Sequence, residues 1–206
     1  VPKFVSSSEP IFWQHSRELA EYCRQLSPLD LEKTMHISPK LSALNHNRFQ
    51  SLSMDNVTGT PAFRTFAGDT FIGLDAQSLS EDQLAWSQTR VGILSGLYGV
   101  LRPLDKIEPY RLEMGTALPI GRKPNLYAHW EPVLKDFFAQ NLDEEETIVN
   151  LASKEYAQVV KQLELKNPMI DVDFLDNSKG EYKVLSFFAK KARGLMANFI
   201  VQHRIS

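Results

Sequence analysis

The chain has 206 residues, of which 43% are hydrophobic, and its formal net charge is −2. This length and composition predict a globular protein with one sizeable core, and we treat residues 1–206 as a single domain. A net charge this small gives no whole-molecule attraction to nucleic acid or to an anionic membrane. Phosphate binding, if it occurs, therefore has to come from a local basic patch.

Cysteine content indicates a reducing compartment, and hydropathy indicates the absence of a membrane-spanning segment. The single cysteine, Cys23, excludes an intrachain disulfide framework and a cysteine-based zinc site. No apolar run approaches the ~18 residues of a membrane span, and no basic and apolar leader opens the sequence. These features predict a cytoplasmic protein that does not insert into a membrane.

Residues 8–52 predict an N-terminal helical subregion. Ser8, Ser27 and Ser38 stand at expected helix N-caps, and each is followed closely by a proline. Behind each signal the apolar residues recur at helical spacing. The predicted helices lie in SEPIFWQHSRELAEYCRQL, SPLDLEKTMH and SPKLSALNHNRFQSL.

Residues 62–206 predict a mixed β-sheet flanked by helices, so the fold class is α/β of the mixed α+β kind. AFRTFAGDTFIGLD predicts a strand and a turn, SEDQLAWSQTR a helix capped by Ser80, and VGILSGLYGVLRPLD a strand that ends in a turn. NLYAHWEPVLKDFFAQNL predicts a helix, and TIVNLASKEYAQVVKQL predicts a strand followed by a helix. MIDVDFLDNSKGEYKVLSFFA predicts a hairpin that turns at residues 177–180.

Three segments resemble strand-to-helix turns: LSGLYG at 94–99, NLAS at 150–153 and FAKKARG at 188–194. If their strands are neighbours, these turns lie at one sheet edge, where α/β folds bind ligands. Small residues there let backbone N–H groups approach an anion. The alternative is that Gly96 and Gly99 only allow the chain to turn.

The closing helix has two predicted faces. The apolar face, expected to meet the core, contains Ala192, Leu195, Met196, Phe199 and His203. Opposite it, Gly194 and Ala197 form the floor of a basic face that contains Lys190, Arg193 and Arg204. A glycine inside a helix is unfavourable, so Gly194 indicates a close approach to the backbone. The alternative is a solvated helix face.

The segment from Tyr98 to Glu113 is dense in polar side chains among prolines, which restrict the backbone. Its two arginines, Arg102 and Arg111, can each bind phosphate or carboxylate with a planar pair of donors. Arg111 and Glu113 could instead form a surface ion pair. The histidines are scattered and Ser95 lacks the glycines of a nucleophile elbow, so we predict no metal, no cofactor and no assigned catalytic residue.

Four motifs resemble the YaaA family of bacterial peroxide stress-resistance proteins: LSGLYGVLRPLDKIEPYRLEMG, NLYAHW, IVNLASKEY and SFFAKKARGLMANFI. The resemblance runs from about Leu26 to Arg204. It implies a cytoplasmic protein that limits hydrogen peroxide damage and is associated with lower intracellular free iron. It also implies DNA binding through a positively charged cleft and a helix-hairpin-helix element.

On this chain the helix-hairpin-helix candidate is LSPLDLEKTMHISPKLSALNHNRF, and AKKARG is similar to the basic wall of the cleft. An ordinary helical pair is the alternative for the first segment. Such elements offer helix N–H groups and cations to phosphates, which positions DNA without reading its sequence. The residues expected to bind DNA are Lys190, Lys191, Arg193, Arg102, Arg111, Lys40 and Arg48.

The leading hypothesis is therefore a peroxide stress protein that binds double-stranded DNA without sequence specificity. The second hypothesis is an enzyme that acts on a small anionic or nucleotide-like substrate in the same cleft. Its lining would be Tyr98, Tyr110, Glu113, Asn150, Ser153 and Tyr156. Direct iron sequestration is a third idea, which the absence of ligand clusters in the sequence disfavours.

Overall fold

A computed structural model describes residues 7–178 and 180–205 of the chain. The N-terminal subregion contains helices α1 (Trp13–Arg24), α2 (Pro28–Met35) and α3 (Pro39–Ser51). Ser27 and Asp30 form a reciprocal capping box at the start of α2, and Ser38 accepts from the Leu41 N–H at the start of α3. These two predicted caps are confirmed, because each depends on residues only three positions apart.

The predicted cap at Ser8 is wrong. Helix α1 begins after Phe12, without a side-chain cap. The Ser8 hydroxyl instead donates to Oδ1 of Asp105 at 2.6 Å, and the Ser8 backbone exchanges hydrogen bonds with Leu104 and Lys106. A serine that finds a buried carboxylate elsewhere in the fold has no reason to cap the nearest helix.

The rest of the described chain adds six helices, one 3₁₀ turn and eight short strands. The helices are α4 (Ala62–Thr65), α5 (Asp69–Leu74), α6 (Glu81–Ser87), α7 (Leu126–Asn141), α8 (Lys154–Lys161) and α9 (Ser186–His203), and the 3₁₀ turn is Ala76–Ser78. The strands are β1 (Thr60–Pro61), β2 (Ile93–Ser95), β3 (Gly99–Leu101), β4 (Lys106–Ile107), β5 (Ile148–Asn150), β6 (Met169–Asp171), β7 (Asp176–Ser178) and β8 (Glu181–Lys183). The mixed α/β class is thus confirmed.

The strands of the described residues pair in four two-stranded ladders, and no larger sheet forms among them. β1–β4, β2–β3 and β7–β8 are antiparallel, whereas β5–β6 is parallel. The predicted hairpin near 177–180 corresponds to β7–β8, although Lys179 lies outside the described residues. The strand predicted in AFRTFAGDTFIGLD is wrong: this segment forms α4 and α5, and Phe63 and Leu74 pack in a small core beside α9.

The main core lies between the helical subregion, the β2–β3 hairpin, α7 and α8. Trp130 of α7 is fully buried there, and its indole N–H donates to the Gly96 carbonyl at 2.9 Å. A second, smaller cluster attaches α9 to α5 and α6 through Leu74, Leu84 and Val201. Within the described residues, no helix is both long enough and apolar enough to cross a membrane.

Candidate functional site

The motif LSGLYG forms the β2–β3 hairpin, so the predicted strand-to-helix turn at 94–99 is wrong. Two glycines make this hairpin possible. Gly99 has a φ of +69°, and a Cβ on Gly96 would lie 2.3 Å from the Leu112 carbonyl oxygen. The hairpin is therefore pressed directly against the segment that carries Tyr110, Arg111 and Glu113.

That segment, residues 110–115, is held by hydrogen bonds from two other elements. The Asn45 side chain of α3 donates to the Arg111 carbonyl at 2.7 Å and accepts from the Arg111 N–H at 2.9 Å. At the other end, the Gly115 N–H donates to Oε1 of Glu155, in the first turn of α8, at 2.8 Å. The backbone between these two anchors is preorganised, as a binding site requires.

We use the term tyrosine cluster for Ser95, Tyr98, Tyr110, Glu113 and Tyr156. The hydroxyls of Ser95 and Tyr110 are 2.5 Å apart, and the Tyr98 N–H donates to Ser95 Oγ at 2.9 Å. Burial is the main reason that the pKa values of Tyr98, Tyr110 and Tyr156 are all raised. These phenols therefore stay protonated and keep their hydrogen-bond donors at neutral pH.

The two oxygens of the Glu113 carboxylate have different environments. Oε1 accepts from Arg111, with Nε at 2.7 Å and Nη2 at 2.6 Å. Oε2 is buried and has no hydrogen-bond donor among the described residues. The charges of Glu113 and Arg111 both act on the pKa of Tyr156, so these three side chains share one electrostatic environment.

The turn at 150–153 is a strand-to-helix turn as predicted, and it joins β5 to α8. The Asn150 side chain bonds to nearby groups: it donates to Asp171 at 2.6 Å and accepts from the Ala152 N–H at 3.0 Å. Ser153 lies at the N-cap of α8, but its side chain makes no capping hydrogen bond. Since α8 contacts β2, the structure brings this turn close to the tyrosine cluster.

The segment 188–194 lies inside α9, so the third predicted turn is wrong. Helix α9 packs closely on α5 through a pair of glycines. A Cβ on Gly194 would lie 1.8 Å from the Thr70 carbonyl oxygen, and one on Gly73 would lie 2.2 Å from the Lys191 carbonyl oxygen. The close approach predicted from Gly194 is confirmed, and the approaching group is the backbone of α5.

The face of α9 that packs against the protein is not the predicted apolar face. Leu195 and Phe199, expected in the core, are 55% and 49% exposed, whereas Gly194 and Val201 are buried. The predicted floor of a basic face is therefore covered by α5. The physical reason is that two glycines allow a backbone approach that the bulkier apolar face cannot match.

The cations at the start of α9 have a different environment from those of the central loop. Lys190 and Lys191 are exposed, and neither forms an ion pair with another described residue. Arg193 is half-buried, and its buried Nε has no acceptor among the described residues. Arg204, at the opposite end of the helix, lies 3.8 Å from Asp82.

Arg102 and Asp105 form an ion pair in which the carboxylate is buried. Asp105 is fully buried and accepts from Arg102 Nε and Nη2 at 3.1 and 2.9 Å, while Arg102 Nη2 also donates to the Glu9 carbonyl. Lys40 is exposed in the first turn of α3 and Arg48 is half-buried in its last turn. Phosphate binding by Arg102, Arg111, Lys40 and Arg48 stays a prediction.

Sequence patterns missed the positioning residues Asn45, Asp105 and Glu155. Asp105 stands three residues after Arg102, a spacing typical of a local ion pair, and this signal could have identified it. Asn45 and Glu155 are ordinary polar residues on helices, and nothing in their neighbourhoods along the chain indicates contacts with residues 111 and 115.

Three kinds of potentially reactive or metal-binding group in the described part of the chain are the Cys23 thiol, the partly buried His129 and possible clusters of metal ligands. Burial raises the pKa of the Cys23 thiol to about 12, and a protonated thiol is a poor nucleophile. His129 is partly buried, and burial is the main cause that lowers its pKa. Among the described residues, no three His, Cys, Asp or Glu side chains lie together in a way that could hold a metal ion.

Comparison with known proteins gives a consistent assignment. The chain is similar to a UPF0246 protein of Aliivibrio fischeri strain MJ11, with 48% identity over 203 residues, which are 97% of this chain and 78% of the relative. A UPF0246 protein of Shewanella baltica strain OS185 is 46% identical over 205 residues, which are 97% of this chain and 79% of the relative. The family model described as peroxide stress protein YaaA matches residues 1–206. The chain therefore belongs to the YaaA family of peroxide stress proteins.

Proposed function

We propose that this peroxide stress protein binds double-stranded DNA without reading its sequence, and that the start of α9 supplies the main phosphate contacts. The observation that carries the proposal is the state of Lys190, Lys191 and Arg193. These three cations lie within four consecutive positions of one helix and have no ion-pair partner among the described residues. By contrast, Arg102 and Arg111 are each paired with a carboxylate.

Local charge density supports an anionic partner. Residues 179–206 contain six lysines and arginines and one acidic residue, Glu181, in a chain whose formal net charge is −2. Cations close together on a helix repel one another, and a row of phosphates relieves that repulsion while releasing counterions. Flexible lysines bind phosphates as point charges, which positions a duplex but carries no base information.

The packing of α9 supports a rigid presentation of these cations. The close contact at Gly73 and Gly194 packs α9 against α5 through backbone atoms, and such tight packing opposes sliding of the helix. Lys190 and Lys191 then project from a fixed axis. In this proposal, protection from peroxide follows from DNA binding, and the lower free iron associated with the family lies downstream of another activity.

Fluorescence anisotropy with a labelled random-sequence duplex tests the proposal. If three phosphates are contacted, the logarithm of the affinity should fall with the logarithm of salt concentration with a slope of about −2.7. The variant Lys190→Gln/Lys191→Gln/Arg193→Gln should lose most of that slope and bind at least about tenfold more weakly at low salt.

A matched control is Arg122→Gln/Lys123→Gln/Lys135→Gln, which removes the same charge from exposed positions elsewhere. It should retain the affinity and nearly the whole slope. Equal losses in the two triple variants would mean that only overall charge matters, and unchanged duplex binding in the α9 variant would contradict the proposal.

A second candidate function is an enzyme that acts on a small molecule at the tyrosine cluster. The observation that favours it is the preorganised set of polar groups around Glu113. Three hydrogen bonds from the side chains of Asn45 and Glu155 hold the backbone on both sides of Glu113. Perturbed pKa values beside an unpaired carboxylate oxygen are typical of functional sites.

A further inference from the structure

We propose that the tyrosine cluster is a recognition site for the hydrogen-bonding edge of a nucleobase, with Glu113 Oε2 as the acceptor and the Ser95–Tyr110 pair as the donor. The inference rests on the second candidate function and narrows its ligand from a small molecule of unspecified type to one that carries a neutral nucleobase. It assigns no role to the cations of α9.

The first argument is a count of hydroxyl hydrogens. The Ser95 and Tyr110 hydroxyls carry one hydrogen each, and one of these lies between their oxygens, which are 2.5 Å apart. Ser95 Oγ also accepts the Tyr98 N–H. The remaining hydroxyl hydrogen has no acceptor among the described residues, so this pair can donate one more hydrogen bond.

The second argument concerns Glu113. Its Oε1 is used by Arg111, whereas its buried Oε2 has no donor among the described residues. A buried carboxylate oxygen is a strong acceptor that is costly to leave unpaired. Its negative charge would repel an anionic group, so the ligand atom that meets it has to be an N–H or O–H donor.

The third argument is the shape of the surrounding side chains. Tyr98 and Tyr110 pack edge to face with ring centroids 5.3 Å apart, and Tyr156 lies close enough to influence the pKa of Tyr110. A spare donor, an unpaired acceptor and flat aromatic rings are the groups that recognise a base through its edge and its face. Cytosine and adenine each place an acceptor nitrogen beside an amino donor, which is the chemical complement of one donor and one acceptor.

Isothermal titration calorimetry of the full chain with cytidine and adenosine tests the inference. The designed probe is N4,N4-dimethylcytidine, which keeps the ring but lacks the amino donor, and it should bind at least about tenfold more weakly than cytidine. Glu113→Gln and Tyr110→Phe should each weaken cytidine binding by at least about tenfold. Glu144→Gln, at an exposed ion pair with Lys166, is the matched control and should bind normally.

Ribose 5-phosphate separates this inference from the function on which it rests. If ribose 5-phosphate binds and Glu113→Gln abolishes that binding while neither nucleoside binds, a small-molecule site exists and the nucleobase inference is wrong. If no probe binds to a folded protein, both ideas fail. Thermal melting of each variant verifies folding, and equal binding of cytidine and its dimethyl analogue also overturns the inference.

Discussion

Two basic regions of this protein use their cations in different ways. In the loop after β3, Arg102 and Arg111 each find a carboxylate within three residues, so their guanidinium groups are already paired. At the start of α9, Lys190, Lys191 and Arg193 have no acidic residue within a helical turn. The comparison teaches that a cation's availability depends on its nearest carboxylate more than on its exposure.

The largest expected effect comes from breaking the Arg102–Asp105 pair. Asp105 is fully buried and accepts hydrogen bonds from Arg102 and Ser8. Asp105→Ala should lower the free energy of unfolding by about 3–5 kcal/mol, because it leaves buried donors and a cation without their partner. Urea unfolding measures the change.

The control for that variant is Glu146→Ala, which removes an exposed ion pair with Arg90. It should cost less than about 1 kcal/mol. Similar losses in Asp105→Ala and Glu146→Ala would show that the central pair is no more important than a surface pair.

The next effect concerns how α9 is held. Gly194→Ala places a Cβ 1.8 Å from the Thr70 carbonyl oxygen, so α9 and α5 have to move apart. We expect a loss of about 2–3 kcal/mol in the free energy of unfolding, although alanine is the better helix former. Gly68→Ala, where nothing lies within 4 Å of the new Cβ, should cost less than about 1 kcal/mol.

Alkaline pH should destabilise the buried core more than it affects the exposed start of α9. The folded pKa of Cys23 is raised from 9.0 to about 12, and the pKa values of Tyr98, Tyr110 and Tyr156 are also raised. Such groups contribute full stability below their unfolded pKa, and this contribution is lost as pH rises toward the folded value. Each group should remove up to about 1.4 kcal/mol per pH unit above its unfolded pKa.

Urea titrations between pH 8 and pH 11 measure this slope. Cys23→Ala keeps the tyrosines but removes the thiol, so its stability should fall less steeply above pH 9. An identical slope in the two proteins would mean that the Cys23 thiol ionises equally easily in the folded and unfolded chains.

The smallest effect is expected at the Arg111–Glu113 pair. These side chains are 43% and 34% exposed, so solvent screens most of their attraction. Arg111→Gln should change the free energy of unfolding by less than about 1 kcal/mol. A loss comparable with that of Asp105→Ala, measured in the same urea assay, would remove the contrast between the two arginines of this loop.

Local signals in the sequence predicted the local structure well. The caps at Ser27, Ser38 and Ser80 are confirmed because the side-chain oxygen bonds a backbone N–H only three residues away. The helices α7 and α8 follow their apolar patterns. The failures at Ser8 and in the 62–75 segment come from contacts with residues far along the chain, which no local pattern contains.

The candidate site shows the same contrast between local signals and contacts with residues far along the chain. Tyr98, Tyr110, Glu113 and Tyr156 were predicted from motif residues, and the structure brings them together. Asn45 lies 66 residues from Arg111, and Glu155 lies 40 residues from Gly115, so their anchoring bonds could not be predicted from spacing. The strand pairs likewise depend on partners that the sequence does not identify.

The sequence by itself determined the helix starts capped by Ser27, Ser38 and Ser80, the mixed α/β class, the family and the local excess of positive charge at the start of α9. Only the tertiary structure decided which face of α9 meets the protein. Apolar periodicity selected Leu195 and Phe199, but burial follows the closest possible packing. Gly73, 121 positions before Gly194, lets two backbones meet where larger side chains would hold them apart.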